Sequence, residues 1–129
     1  MTRPDIIFFD IDGTLLDFGK KDLSPNTREA LLKLRENGIR ICIATGRSPL
    51  ALPKFAGVEF DAYLAYYGID RSRAMAFGDG NNDIEMFQAV DLGIAMENAS
   101  ENLKAVAADT CGSVTEDGVY HYCKRNGLI

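Results

Sequence analysis

Four aspartates occupy positions from which they could act together. They lie in two short polar segments, each directly after an apolar run: Asp10 and Asp12 follow the first run, and Asp79 and Asp83 follow a later one. Like charges brought close together disfavour ionisation unless a cation is present. Oxygen ligands with no histidine or cysteine nearby suit a hard cation, magnesium before calcium. The sequence therefore predicts a magnesium site, provided that the fold brings the two segments together.

A third polar segment, Thr45-Gly46-Arg47-Ser48, follows another apolar run. Its threonine hydroxyl and its backbone amides at a helix start could bind phosphoryl oxygens. An aspartate can act as a nucleophile that forms an acyl phosphate, and Asp10 is placed for that role, with Asp12 as general acid and then base. Any one of these segments could be only a turn, because Asp, Asn and Gly are common turn residues. Three of them at three strand ends favour phosphoryl transfer.

The elements that must position these residues alternate between strands and helices. Strands are predicted over residues 5–9, 39–44, 61–65, 74–77 and 91–96, and helices over residues 24–38, 48–55, 83–90, 100–108 and 118–126. This alternation predicts an α/β fold, a Rossmann-like parallel sheet with helices on both faces. Ligands bind beyond the carboxyl ends of the strands in such sheets, which is where the three polar segments lie.

One connection is too short for this scheme. A parallel strand needs a crossover of a dozen or more residues to return to the same sheet, and only about eight residues separate Ala65 from the predicted strand at Ala74. Either these two strands are not adjacent and parallel, or a segment has been lost at this point.

The composition excludes several classes of protein. The chain has 129 residues, 47% hydrophobic and 26% charged, which predicts one soluble domain without a membrane span. A net charge of −5 argues against nucleic acid or an anionic membrane as the partner. Three widely spaced cysteines fit neither a disulfide framework nor a zinc cluster, so the expected compartment is the reducing cytoplasm. The oligomeric state is left open.

Other phosphate-binding, metal-binding and hydrolytic motifs fit less well. A Walker P-loop is absent, because no glycine precedes Lys-Ser or Lys-Thr. An EF-hand starting at Asp79 would have Ile84 where glycine is needed and Val90 where glutamate is needed. The only histidine, His121, lies in the predicted closing helix, away from any serine elbow.

The polar segments resemble motifs of the haloacid dehalogenase superfamily of phosphohydrolases. The stretch Asp10-Ile11-Asp12-Gly13-Thr14-Leu15 resembles its first motif, Ile43-Ala44-Thr45-Gly46-Arg47 its second, and residues 76–86 its fourth. The pair Asn81-Asn82 and the tail at residues 93–99 resemble those of the Cof-like subgroup, which acts mainly on sugar phosphates and similar small metabolites.

This resemblance, which covers almost the whole chain, implies specific roles. Asp10 would be the nucleophile and Asp12 the acid and base. The phosphate would be bound by Thr45, Gly46 and Gly13. A Mg²⁺ cofactor would be held by Asp10, Asp12, Asp79, Asn82 and Asp83.

The sequence departs from the family in two respects. Cof-like proteins carry an α/β cap inserted after the third strand; here residues 5–65 match the part before a cap and 68–129 the part after it, so the chain is interpreted as a single catalytic core, 1–129, with a cap-deletion junction near 65–68. The loss could be natural or deliberate. The family's phosphate-binding lysine is also missing, since only Arg71 and Arg73 lie between Tyr66 and Gly78. We therefore expect a weakened phosphatase.

Two alternatives remain. One is a catalytically inert binding or assembly core of the same fold, which the missing lysine favours. The other is a phospho-accepting receiver domain, which also uses acidic residues and magnesium on a parallel sheet. Receivers place the acceptor after the third strand, and that predicted strand ends in Ala65-Tyr66 without an acid.

Overall fold

The computed structural model describes residues 3–44, 55, 57–61 and 70–129. Its strands are β1 (Ile6–Phe9), β2 (Arg40–Ile43), β3 (Ala74–Gly78), β4 (Leu92–Ala95) and β5 (Asp109–Thr110). Its helices are α1 (Pro25–Glu36), α2 (Ile84–Gln88), α3 (Glu101–Val106) and α4 (Gly118–Arg125), with 3₁₀ turns at Arg71–Arg73, Asn81–Asp83 and Val114–Glu116. Within these described ranges, no helix is long and apolar enough to cross a membrane.

The described strands form one parallel sheet in the order β2-β1-β3-β4-β5. Strand β1 pairs on both sides, so that Phe8 lies opposite Cys42 of β2 and Ala76 of β3. Every residue of β1 and β3 is buried, as expected when helices cover both faces of a parallel sheet. The predicted α/β class is therefore confirmed.

Alternate residues of β1 enter two separate cores, because successive strand side chains point to opposite faces. Ile7 and Phe9 belong to a core shared with α1 and α4, whereas Ile6 and Phe8 belong to one shared with α2 and α3. In the first core, the ring of Phe77 stacks on Phe9 with centroids 5.4 Å apart. These apolar contacts fix the ends of β1 and β3, from which the polar segments project.

The predicted helix starts are confirmed where a side chain caps the helix. Ser24 accepts a hydrogen bond from the Thr27 amide at 3.1 Å, with Pro25 in the first turn of α1. Ser100 caps α3 in the same way. Helix α3 ends at Val106, two residues before the predicted end, because Ala107 is extended and leads into β5.

Helices α1 and α4 are joined at their starts by Asp117. This residue has a left-handed backbone, with φ +56°, and its carboxylate accepts hydrogen bonds from Ser24 Oγ (2.5 Å) and Asn26 Nδ2 (3.1 Å). Left-handed backbone is uncommon for residues other than glycine, and aspartate is among those that tolerate it. The contact links positions more than 90 residues apart in the chain.

The predicted third strand is described only at its first residue. The Asp61 amide donates to the Ile41 carbonyl at 2.8 Å, and the Asp61 carboxylate accepts from the Ile41 amide (3.2 Å) and from Arg35 Nη1 (3.1 Å). The chain therefore runs beside the outer edge of β2 at this point. The rest of that strand, most of the predicted helix over 48–55 and the junction near 65–68 lie outside the described residues.

Candidate active site

The carboxyl ends of β1 and β3 bring two of the predicted segments together. The strands pair in register, with Phe9 opposite Phe77, and the Asp10 amide donates to the Phe77 carbonyl at 3.2 Å. Asp79 follows the last residue of β3, and Asp83 ends the 3₁₀ turn beyond it. One carboxylate oxygen from each of Asp10, Asp79 and Asp83 lies within 4.8 Å of the others. Three of the four aspartates that the sequence groups together therefore lie close to one another.

Backbone amides of the loop after β3 hold the Asp83 side chain in place. Its Oδ2 atom accepts from the amides of Asp79 (3.0 Å) and Gly80 (3.1 Å), and the residue is only 3% exposed. A β-carbon on Gly78 would lie 2.7 Å from the same oxygen. Glycine at position 78 therefore lets the carboxylate fold back onto its own loop.

The loop after β1 contacts the Asp79 carboxylate directly. Gly13 has φ +83°, and a β-carbon built on it would overlap Asp79. The Thr14 hydroxyl donates to Asp79 Oδ1 at 3.3 Å. Gly13 and Thr14 thus fix the position of a carboxylate that belongs to the other polar segment.

Burial dominates the electrostatics of the cluster. It raises the pKa of Asp10 to about 7, helped by a hydrogen bond to Asp79. Burial also raises the pKa of Asp79, although the hydrogen bond from Asp10 opposes that shift. The pKa of Asp83 rises to about 6 through burial and the nearby Asp10, despite its two amide donors. Burial thus raises the pKa of all three carboxyl groups, and a cation among them would favour their charged forms; with oxygen as the only donor atom, the cluster fits a hard divalent cation.

The other predicted site residues surround this cluster in different ways. Asp12 is half-buried beside it, and its charge raises the pKa of Asp79, but its carboxylate is not one of the three clustered groups. Asn82 is exposed, and its side chain lies over Gly80. Its Oδ1 atom is 2.6 Å from the position that a β-carbon on Gly80 would occupy. Thr45 and Gly46 lie outside the described residues.

Asn98 is a site residue to which sequence reasoning assigned no role. Its Nδ2 atom donates to the Gly13 carbonyl at 2.9 Å, and its Oδ1 atom accepts from the Val114 amide at 2.9 Å. It therefore ties the loop after β1 to the 3₁₀ turn before α4. Its only signal in the sequence is its place in the tail at residues 93–99, which indicated a subgroup and not a contact.

The two arginines that could replace the missing lysine lie at the opposite end of the sheet. Arg73 binds Asp5, just before β1, through Nε (2.5 Å) and Nη2 (2.8 Å). The Nε atom of Arg71 donates to Asp91, just before β4, at 2.7 Å. Both guanidinium groups are thus paired at the amino ends of strands, away from the carboxylate cluster.

The fold and the cluster agree with the family that the chain matches. The model of the haloacid dehalogenase-like hydrolase family matches residues 7–64 and 54–123, which together cover most of the sequence. The chain belongs to this family, and the predicted membership is confirmed.

Curated relatives differ in how much of their length the chain covers. An uncharacterised protein from the pdhA 5′ region of Geobacillus stearothermophilus is 48% identical over 87 residues, 67% of this chain and 90% of that protein. Two Bacillus subtilis proteins are named 5-amino-6-(5-phospho-D-ribitylamino)uracil phosphatases. YitU is 42% identical over 60 residues, 46% of this chain and 22% of its own length. YwtE is 30% identical over 117 residues, 91% of this chain and 38% of its own length. The chain therefore spans less than half of either phosphatase.

A solved structure supports the fold independently. A phosphatase of the haloalkanoate enzyme superfamily from Bacteroides thetaiotaomicron superposes with a TM-score of 0.81 at 19% identity, covering 98% of this chain and 96% of that one. At such low identity, the likeness shows the shared α/β fold.

Proposed function

We propose that the chain is the catalytic core of a magnesium-dependent phosphatase that acts on small phosphorylated metabolites such as sugar phosphates. The observation that carries this proposal is the convergence of Asp10, Asp79 and Asp83 at the carboxyl end of the sheet. Family membership and phosphatases among the relatives support it.

Asp10 is proposed as the nucleophile because it directly follows β1, which is paired on both sides, and because its amide donates to the Phe77 carbonyl of β3. One of its carboxylate oxygens attacks the phosphorus atom, and the bond from phosphorus to the leaving-group oxygen breaks. Asp12 protonates that oxygen and afterwards takes a proton from the water that attacks the aspartyl phosphate. Inorganic phosphate leaves, and the Asp10 carboxylate is regenerated.

The cation-binding role falls to residues at the same edge. We assign Mg²⁺ to Asp10, the backbone carbonyl of Asp12 and Asp79, with Asn82 and Asp83 anchoring that end of the site. When bound, the ion supplies positive charge that stabilises the phosphoryl group during transfer. Thr45, Gly46 and Gly13 are assigned to the phosphate oxygens.

A missing cap near residues 65–68 is part of this proposal. The sequence pattern of the family aligns with this chain in two pieces that overlap over residues 54–64. Such a division is expected where a segment of the family's sequence has no counterpart in this chain. The alignment with YwtE supports the same interpretation, because it uses 91% of this chain but only 38% of that phosphatase.

An inert core of the same fold is the second candidate. It is favoured by the absence of lysine over residues 66–78 and by the pairing of Arg71 and Arg73 far from the cluster. The two candidates differ in one measurable property, which is metal-dependent turnover.

Phosphate release from 4-nitrophenyl phosphate, measured with Mg²⁺ and with EDTA, tests the proposal. We expect Mg²⁺-dependent hydrolysis that Asp10→Asn abolishes. In parallel, beryllofluoride should form an adduct at Asp10 and at no other carboxylate. Hydrolysis that persists in EDTA, or in Asp10→Asn, would contradict the proposal. A chain that shows neither turnover nor an adduct is the inert core.

A further inference from the structure

One aromatic side chain is left exposed beside the carboxylate cluster. Among the described residues, the exposed large apolar side chains are Phe18, Leu32 and Val106. Leu32 lies on α1 and Val106 on α3, whereas Phe18 follows the loop that carries Asp10. The Phe18 side chain is also the most exposed of the three, at 65%.

The ring tip of Phe18 is a neighbour of the Asp79 carboxylate. Both groups crowd the position that a β-carbon on Gly13 would occupy: Asp79 Cγ lies 2.6 Å from that point and Phe18 Cζ lies 2.8 Å from it. The end of the ring therefore borders the cluster, while most of its surface faces solvent.

A tight turn fixes this placement. The Lys20 amide donates to the Asp17 carbonyl at 3.0 Å, and Gly19, at the third position of the turn, has φ +82°. A positive φ at that position is typical of a type II turn, which glycine favours. The turn therefore defines the backbone at Phe18, which lies at its second position, between Asp17 and Gly19.

We infer that Phe18 is a specificity-determining residue, whose ring contacts the leaving group of a phosphate monoester bound at the cluster. This inference rests on the proposed function. Asp10 is buried at the end of β1, so we expect the substituent of a phosphoryl group held there to extend towards the exposed side of the cluster, where the end of the Phe18 ring lies. A flat apolar substituent covers the exposed ring and gains stacking and apolar contact, whereas a polyhydroxylated chain gains little. Among the small phosphate monoesters of the proposed function, those with an aromatic or otherwise flat apolar leaving group gain most from this contact.

The test compares phenyl phosphate with glycerol 2-phosphate. For Phe18→Ala, the ratio of kcat/KM for phenyl phosphate to kcat/KM for glycerol 2-phosphate should fall about fivefold, the size expected for an aromatic contact. Phe18→Tyr keeps the ring and should keep the ratio. Leu32→Ala removes an exposed apolar side chain on α1 and is the matched control. A ratio that is unchanged in Phe18→Ala, or that falls equally in Leu32→Ala, would overturn the inference.

A binding measurement separates this inference from the proposed function. Calorimetric titration with phenylphosphonate and methylphosphonate in Mg²⁺ requires no turnover. Phe18→Ala should weaken binding of the phenyl compound about fivefold more than binding of the methyl compound. If the chain hydrolyses neither ester but shows this difference, the proposed function fails and the contact stands. If the chain hydrolyses both esters and Phe18→Ala leaves the ratio of their kcat/KM values unchanged, the proposed function stands and the inference fails. If the chain binds neither phosphonate and hydrolyses neither ester, both the proposed function and the inference are rejected.

Discussion

The carboxylate of Asp79 fills the space that a β-carbon on Gly13 would require. The two residues are 66 positions apart in the chain, and they meet because β1 and β3 are neighbours in the sheet. Glycine at position 13 therefore meets two needs at once, a backbone with positive φ and room for a carboxylate of the cluster.

A comparison of Gly13→Ala with Gly38→Ala should distinguish the effect of backbone strain from the effect of displacing the Asp79 carboxylate. Both glycines have nearly the same φ, +83° and +84°, but nothing lies within 4 Å of a β-carbon on Gly38. We expect each variant to lose about 1–2 kcal/mol of unfolding free energy to backbone strain. Only Gly13→Ala should also lose stabilisation by Mg²⁺, because Asp79 must move. Denaturant titrations with and without Mg²⁺ measure both quantities, and equal Mg²⁺ responses in the two variants would contradict the assignment.

Asp79→Ala should abolish stabilisation by Mg²⁺. For the unsubstituted chain, a Mg²⁺ concentration one hundred times the dissociation constant should add about 2.7 kcal/mol to the unfolding free energy. Thermal melting against Mg²⁺ concentration measures this effect. Asp91→Ala is a suitable control, because Asp91 pairs with Arg71 at the opposite end of the sheet. If the melting temperature of the unsubstituted chain does not change with Mg²⁺ concentration, the Mg²⁺ site is wrongly assigned.

The metal-free protein should become less stable as the pH rises from about 4 to 7. In the folded state, burial holds the pKa of Asp10 at about 7, against an ordinary value of 3.8. Within this window the folded state keeps a proton that the unfolded state has released, so unfolding becomes easier as the pH rises. Melting temperatures in EDTA at several pH values measure this trend. Asp10→Asn should flatten this trend, and a melting temperature that falls equally in both proteins through the same window would show that Asp10 is not the cause.

Turnover should be slow, and no single sugar phosphate should be strongly preferred over the others. Without the lysine, one positive charge is missing beside the phosphoryl group, and a penalty of roughly 3 kcal/mol after partial compensation means about two powers of ten in rate. Arg73→Ala should leave kcat/KM unchanged, since that guanidinium binds Asp5. Steady-state rates over a panel of sugar and aryl phosphates test this expectation. A high kcat/KM for one sugar phosphate, or a large loss in Arg73→Ala, would refute it.

The sequence predicted the described parallel sheet and the acidic cluster because both follow from local patterns. The β1 residues Ile6–Phe9 form an unbroken apolar run, and the aspartates come directly after such runs. Strand β5 could not be predicted, because Asp109 and Thr110 are polar and exposed. They form a strand only by pairing with Ile94 and Ala95 of β4.

The contacts between distant segments were also beyond sequence reasoning. The pattern around Asn98 says nothing about the Gly13 carbonyl, 85 positions away, to which it donates. Likewise, Gly19 is a local signal for the turn at Phe18. The proximity of the Phe18 ring to Asp79, however, depends on the pairing of strands far apart in the chain.

The strands before and after the segment at residues 62–69 form two parts of the sheet, β2-β1 and β3-β4-β5, which meet where β1 pairs with β3. Strand β1, which precedes that segment, lies between β2 and β3, and β3 follows it. Asp10 comes from the first portion of the chain and Asp79 from the second, while Asn37 Nδ2 donates to the Leu128 carbonyl at 2.8 Å across the same division. Cleavage within this segment would therefore give two complementary fragments, neither of which holds a complete cation site. Their reassembly would restore the three-carboxylate cluster, so recovery of the proposed Mg²⁺ binding would report that the two fragments have associated.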